Sequence, residues 1–183
     1  MKIAKYSFLI LTVLLLYSCS NNKPSSIEEP KAANVQPEEV EQNNSIPSQQ
    51  IDYETYLNSR YGYSITYPTF LTPQPEACNG DGRVFTNGNN EEMRVYAVYN
   101  VLERSIQDLK EIQEDMIDGS IDYSVQKKNW FVLSGINSDG NIYYLKTILN
   151  EDTEYTVQIT YPKEKKELYD EIVEKVTKSF CVE

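Results

Sequence analysis

Two stretches of this chain read alike: Tyr61-Gly62-Tyr63-Ser64-Ile65-Thr66-Tyr67-Pro68 and Tyr155-Thr156-Val157-Gln158-Ile159-Thr160-Tyr161-Pro162. In each, a large apolar or aromatic side chain falls on every second residue, small or polar residues lie between, and proline ends the run. Period two fits a strand with one buried face, because successive strand side chains point to opposite sides. Proline has no N–H to give to a ladder, so it closes both strands. A chain that holds two such segments far apart in sequence must build a sheet with a tyrosine-rich buried face.

The intervening residues supply more strands. Residues 72–82 are turn-rich loop. A short strand over 83–86 ends at Asn87-Gly88-Asn89-Asn90, a hairpin-type turn. Residues 93–101 form the next strand, with Val95, Ala97, Tyr99 and Val101 on one face. Residues 125–136 carry Trp130-Phe131-Val132-Leu133, apolar on both faces, which predicts a central strand. Asn137-Ser138-Asp139-Gly140-Asn141 turns into a hairpin partner over 142–149, and Asn150-Glu151-Asp152-Thr153 turns again.

Two segments carry helical spacing instead. Ser105 is placed as an N-cap with Asp108 three residues on, where a carboxylate suits the positive helix end. Ile106, Leu109, Ile112, Met116 and Ile117 line one face, and Gly119 is the expected stop. The second helix spans residues 164–180, with Leu168, Ile172 and Val176 as its spine and Tyr169, Val173 and Phe180 widening the stripe. The predicted order is β-β-β-α-β-β-β-α, an α+β fold. Short connections imply antiparallel pairing, and strands apolar on both faces imply helices on opposite sides of the sheet.

None of this begins before residue 51. Lys2 and Lys5 precede a short apolar run over 8–17, too short for a spanning helix and suited to an export signal. Leu16-Tyr17-Ser18-Cys19 resembles a bacterial lipobox, in which the cysteine is acylated and becomes the mature first residue; Tyr17 is bulkier than the usual occupant of its slot. The alternative is a buried or free cysteine near an ordinary cleavage site. Two or more acyl chains make attachment to a bilayer stable where one does not. Ser20 stands where an aspartate would resemble an inner-membrane retention signal, so outer-membrane sorting is expected in a host with two membranes. Residues 20–50 hold no aromatic and are rich in Ser, Asn, Gln, Glu and Pro, a composition that cannot bury enough surface to order itself. Treated as a coil, the segment reaches about 30 Å. The expected organisation is therefore a lipoprotein signal over 1–18, a tether over 19–50 and one domain over 51–183.

The domain carries 13 of the 17 basic and 23 of the 28 acidic residues, a net charge of −10. Phosphate binding needs net cation density, so nucleic acid and anionic lipid headgroups are poor partners. With Cys19 acylated, Cys78 and Cys181 remain, an even number in an oxidising compartment, and a disulfide between them is expected.

"RYGYSITYP", "NGDGRVFTN" and "YTVQITYPKEKKELYDEIVEKVTKSF" together resemble the PsbP-like family, over about residues 58 to 180. Its fold is that of an extrinsic photosystem II subunit and of a Ran-binding nuclear import factor. The matching features are framework positions: an aromatic-Gly-aromatic first strand, an Asn-Gly-Asp-Gly turn, and a Tyr-Pro strand end leading into the last helix. The likeness implies a three-layer α-β-α sandwich around a mainly antiparallel sheet of about six strands. It transfers no functional residue, since one fold hosts many roles.

The chemistry on offer is sparse. There is no histidine, which removes the usual general base, the commonest metal ligand, and with them His-dependent triads and zinc sites. Cys78 as a nucleophile lacks a histidine partner. Asn79-Gly80-Asp81-Gly82 and Asp139-Gly140-Asn141 share residue types with calcium loops but lack the full ligand series, so both are read as turns. No metal, cofactor or catalytic residue is assigned, and the ligand-binding residues stay unknown. Tyrosine is the one excess: 13 of 15 lie in the domain, mostly as sheet packing. Tyr96 and Tyr144, out of phase with apolar rows, could serve recognition. The expectation is a non-catalytic envelope lipoprotein that meets the membrane through its lipid anchor and binds an envelope or extracellular protein. The alternatives are a glycan or small-ligand module and an inhibitor of a basic enzyme such as lysozyme.

Overall fold

The computed structural model describes residues 50–182. The expected signal over 1–18, Cys19 and all but the last residue of the tether lie outside the described residues.

Among the described residues, ten strands form in two sheets. A three-stranded sheet joins β1 (Tyr53–Asn58), β2 (Tyr63–Pro68) and β10 (Cys181–Val182). A seven-stranded sheet has the order β3-β4-β5-β9-β8-β7-β6. Its members are β3 (Thr72–Pro73), β4 (Gly82–Thr86), β5 (Glu92–Tyr99), β6 (Tyr123–Gln126), β7 (Trp130–Ile136), β8 (Ile142–Asn150) and β9 (Thr153–Tyr161). Every pairing is antiparallel. The two helices are α1 (Ile106–Met116) and α2 (Lys166–Ser179), the latter preceded by a single 3-10 turn.

The α+β class and the antiparallel pairing match expectation; the count of about six strands does not. The single strand expected over 125–136 is a hairpin, β6 and β7, turned at Lys127-Lys128-Asn129 by a bond from the Lys127 N–H to the Trp130 carbonyl at 2.8 Å. β1 was missed because its inward positions are Tyr56 and Asn58, and a buried asparagine breaks the apolar alternation. β3 and β10 are two residues each, too short for periodicity to register.

Register decides which side chains meet. Leu133 pairs with Leu145, which pairs with Gln158, so these three share one face of the large sheet. Val157 and Ile159 flank Gln158 along β9 and therefore face the other way. On the first face, Ile106 and Leu109 of α1 pack on Phe131, Leu133, Tyr143 and Leu145. On the second, α2 (Tyr169, Ile172, Val176) and the small sheet (Tyr56, Tyr63, Ile65, Tyr67) cover Phe85, Met93, Val95, Val157 and Ile159. Each such apolar side chain contributes about 1.5–3 kcal/mol on full burial. The small sheet thus shares a face with α2, which an array of helices alone would not.

The Ser105 cap forms as expected, as a reciprocal box: the Asp108 N–H donates to the Ser105 hydroxyl and the Ser105 N–H donates to the Asp108 carboxylate at 2.9 Å. The stop differs. The helix ends at Met116 with Ile117 as C-cap, and Gly119 instead bridges to Asn137 in strand fashion. A Cβ on Gly119 would lie 2.1 Å from the Ile136 carbonyl oxygen, so close approach rather than helix termination requires glycine there. One consequence is that Met116, expected on the buried stripe, is 72% exposed.

One buried charge ties the domain together. Glu91, 1% exposed, follows the Asn87–Asn90 turn and accepts from Asn87 Nδ2 at 2.6 Å, Lys165 Nζ at 2.5 Å and the Tyr169 hydroxyl at 3.0 Å. Burial pushes its pKa up, and these three donors outweigh that and hold it below the ordinary value. Tyr169 in turn stacks on Tyr161, centroids 4.2 Å apart and planes within 5°.

Candidate functional site

Helix α1 has eleven residues, about 16 Å at 1.5 Å rise, and strands lie about 4.8 Å apart. It covers the β7–β8 part of its face and leaves the β4–β5–β9 part without a helix. The sequence anticipates this in its polar positions: Arg94 and Tyr96 on β5, and Gln158 and Thr160 on β9, fall between the buried residues of those strands. Their register partners are Arg94 with Gln158 and Tyr96 with Thr156, so they project to the same side as α1.

The result is a groove of about 780 Å³, within the 300–1,000 Å³ typical of ligand sites. Its floor includes Val84, Arg94, Tyr96, Leu145 and Gln158. The end of α1 supplies one wall through Gln113, Met116, Ile117 and Asp118, continued by Asn137, Ser138 and Asp139 of the β7–β8 turn. These two segments are joined: the Ser138 N–H donates to the Asp118 carbonyl at 2.9 Å. The opposite wall is the β3–β4 loop, with Pro75, Ala77 and Asp81. That loop is anchored at several points. The Asp81 carbonyl accepts from the Ala97 N–H at 2.9 Å and the Tyr63 hydroxyl at 3.1 Å, and Asn58 Nδ2 donates to the Gly80 carbonyl at 3.0 Å. Burial is the main reason that the Tyr63 hydroxyl is pushed far above its usual range.

Gly82 sets the groove's shape. It pairs with Tyr96, and a Cβ at this position would lie 2.0 Å from the Val95 carbonyl oxygen. At the far side, Tyr143 is buried and donates its hydroxyl to the Ser120 carbonyl at 2.9 Å, so its oxygen is already engaged. Arg94 pairs with Glu92 at 2.9 Å with both side chains substantially exposed. The pair contributes little to stability.

Of the two tyrosines singled out from phase, only Tyr96 borders the groove. Tyr144 pairs with Ile159 and so lies on the α2 face, half-buried. The two cannot belong to one recognition surface. Both turns that share residue types with calcium loops border the groove, through Asp81 and Asp139. Among the described residues, no group of three or more His, Cys, Asp or Glu is placed to hold a metal ion, and no helix is long and apolar enough to cross a membrane. The expected Cys78–Cys181 bridge is not formed: both thiols are free and exposed. Cys181 pairs with Ser64 on the outer side of the small sheet, whereas Cys78 sits in the β3–β4 loop, held by Asn58.

Comparison with solved structures agrees with the framework resemblance. The solution structure of cyanobacterial PsbP (CyanoP) from Synechocystis sp. PCC 6803 superposes with a TM-score of 0.53 at 13% identity, covering 75% of this chain and 96% of that one. A chain from Bacteroides thetaiotaomicron VPI-5482, whose structure is known at 1.50 Å, aligns with a TM-score of 0.44 at 14% identity, over 71% of this chain and 48% of that one. No family model matches the sequence, and no curated protein matches it. The chain has a PsbP-like fold, and at this identity the likeness carries the fold alone.

Proposed function

We propose that this chain is a lipid-anchored envelope protein, moored through Cys19 at the outer membrane, whose domain binds a protein partner without catalysing a reaction. The groove between α1 and the β3–β4 loop is the observation that carries the binding part of this reading. A sheet face left without its helix, edged by an exposed methionine and floored by a tyrosine, is the kind of surface that a soluble domain keeps for contact. The absence of histidine from the sequence and the net charge of −10 on residues 51–183 favour binding over acid–base chemistry and disfavour nucleic acid.

Tyr96 also favours a second reading, a glycan or small-ligand site, because an aromatic ring in a groove of this volume suits a sugar face. A test separates them. Full-length tagged protein is purified from its native envelope by mild detergent, in wild-type form and as Gln158→Trp, which fills the groove, with Glu171→Gln on exposed α2 as control. Proteins that copurify with wild type and the control but not with Gln158→Trp support the partner reading. Identical recovery with all three chains refutes it, and saturable binding of a neutral chito-oligosaccharide lost in Gln158→Trp moves the assignment to the glycan reading.

A further inference from the structure

The groove's walls and floor differ in character, and that difference specifies an occupant. The floor is apolar or neutral around Tyr96, Leu145 and Gln158, and the two guanidiniums that border the groove are held by other groups, Arg94 by Glu92 at 2.9 Å and Arg83 by the Gln74 carbonyl at 2.8 Å. The walls carry carboxylates on both sides, Asp81 on the loop and Asp118 and Asp139 at the end of α1 and the β7–β8 turn. Among the described residues, no lysine or arginine forms an ion pair with any of the three. Asp81 accepts a bond from Asn79 Nδ2 at 2.5 Å, which leaves its charge in place. Met116, 72% exposed, adds a flexible aliphatic surface at the rim.

Unneutralised acid on two facing walls, above an aromatic and aliphatic floor, complements a side chain with an apolar stem and a cationic head. We infer that the groove receives an extended lysine- or arginine-bearing segment of the partner protein, with stems against Tyr96, Leu145 and Met116 and charged heads at Asp81, Asp118 and Asp139. Long basic side chains bury their methylenes along apolar surface while the head stays among polar groups. A net charge of −10 on residues 51–183 adds long-range attraction for such a segment. The inference rests on the reading of the groove as a partner site and names the chemistry that fills it.

The test uses the full chain, isotope-labelled, in an amide-resolved NMR titration. The probes are acetyl-Gly-Lys-Gly-Lys-Gly-amide, its glutamate counterpart and a neutral chito-oligosaccharide. The lysine peptide is expected to shift the amides of Tyr96, Leu145, Gln158 and Asp139 saturably. The Asp118→Asn/Asp139→Asn pair weakens that binding about tenfold, the scale of two half-exposed ion pairs. Glu171→Gln/Glu174→Gln, on the exposed side of α2, leaves it unchanged. Raising salt from about 0.05 M to about 0.5 M weakens it as well. Two results overturn the inference while leaving the groove a site: the glutamate peptide or the sugar saturates the same amides and the lysine peptide does not, or the aspartate pair has no effect. Non-saturating shifts spread over every acidic surface overturn it too. Failure of the partner reading itself shows separately, as envelope capture indifferent to Gln158→Trp.

Discussion

Removing Glu91 should loosen the domain more than any exposed charge does. In Glu91→Ala the Tyr169 hydroxyl, buried beneath α2, loses its acceptor, and so does Asn87 Nδ2. Lys165 is 41% exposed and turns to water at little cost. A stranded buried donor costs about 1–3 kcal/mol, and Asn87 adds about 1 kcal/mol. Release of a desolvated carboxylate offsets part of this. The expected loss is about 2–4 kcal/mol, or about 10 °C in Tm for a domain of this size. Glu91→Gln, which keeps an acceptor for Tyr169, should lose about half as much. Lys165→Met should lose less than about 1 kcal/mol. The sign with pH follows from the lowered carboxyl pKa. Its contribution is fully present above the ordinary value of 4.5 and fades as pH falls through the lower folded-state value. Urea unfolding at pH 7 and at pH 3 measures both effects. A stability gap between wild type and Glu91→Gln that narrows in acid agrees. Glu91→Ala within about 0.5 kcal/mol of wild type, or a gap that widens in acid, refutes the reasoning.

Two further outcomes follow from the same structure, and a third from the sequence. Gly82→Ala forces a Cβ to within 2.0 Å of the Val95 carbonyl oxygen, so thermal unfolding should show a loss of at least about 2 kcal/mol, whereas Gly88→Ala, with open space around it but φ +77°, should lose about 1 kcal/mol. Native protein purified without reductant should take up iodoacetamide at both Cys78 and Cys181, since both thiols are free and exposed; protection of the pair contradicts this. Protein from its native host should release an amino-terminal peptide whose mass carries acyl chains on Cys19, and a bare thiol there would remove the anchor from the proposal.

Much of the fold was legible because its strands advertise themselves. Tyr63, Ile65 and Tyr67 and then Tyr155, Val157, Ile159 and Tyr161 are all buried, as period two requires. Ser105 and Asp108 announced the start of α1, and the structure adds that the two close a reciprocal capping box. What stayed hidden depends on distant partners. Asn58 is buried because it bonds the Tyr56 hydroxyl and the Gly80 carbonyl, a reason invisible in the local pattern around β1. Glu91 reads as a surface residue until Lys165 and Tyr169 arrive from the other end of the chain. The groove was half legible: Tyr96 stood out of phase, and the neutral polar rows of β9 mark a face without a helix. Its walls were not, because Asp81 and Asp139 sit in turns whose convergence depends on the sheet order, with β5 beside β9 and β9 beside β8.

If the proposed reading is right, the groove meets a protein in the cell envelope of the native host. A photo-crosslinking amino acid placed at Met116, on the groove rim, and at Lys175, on exposed α2, tests this in the native host. Discrete adducts at position 116, diminished by Asp118→Asn/Asp139→Asn and absent at position 175, are the predicted result. Equal crosslinking at both positions, or none at 116, would contradict it.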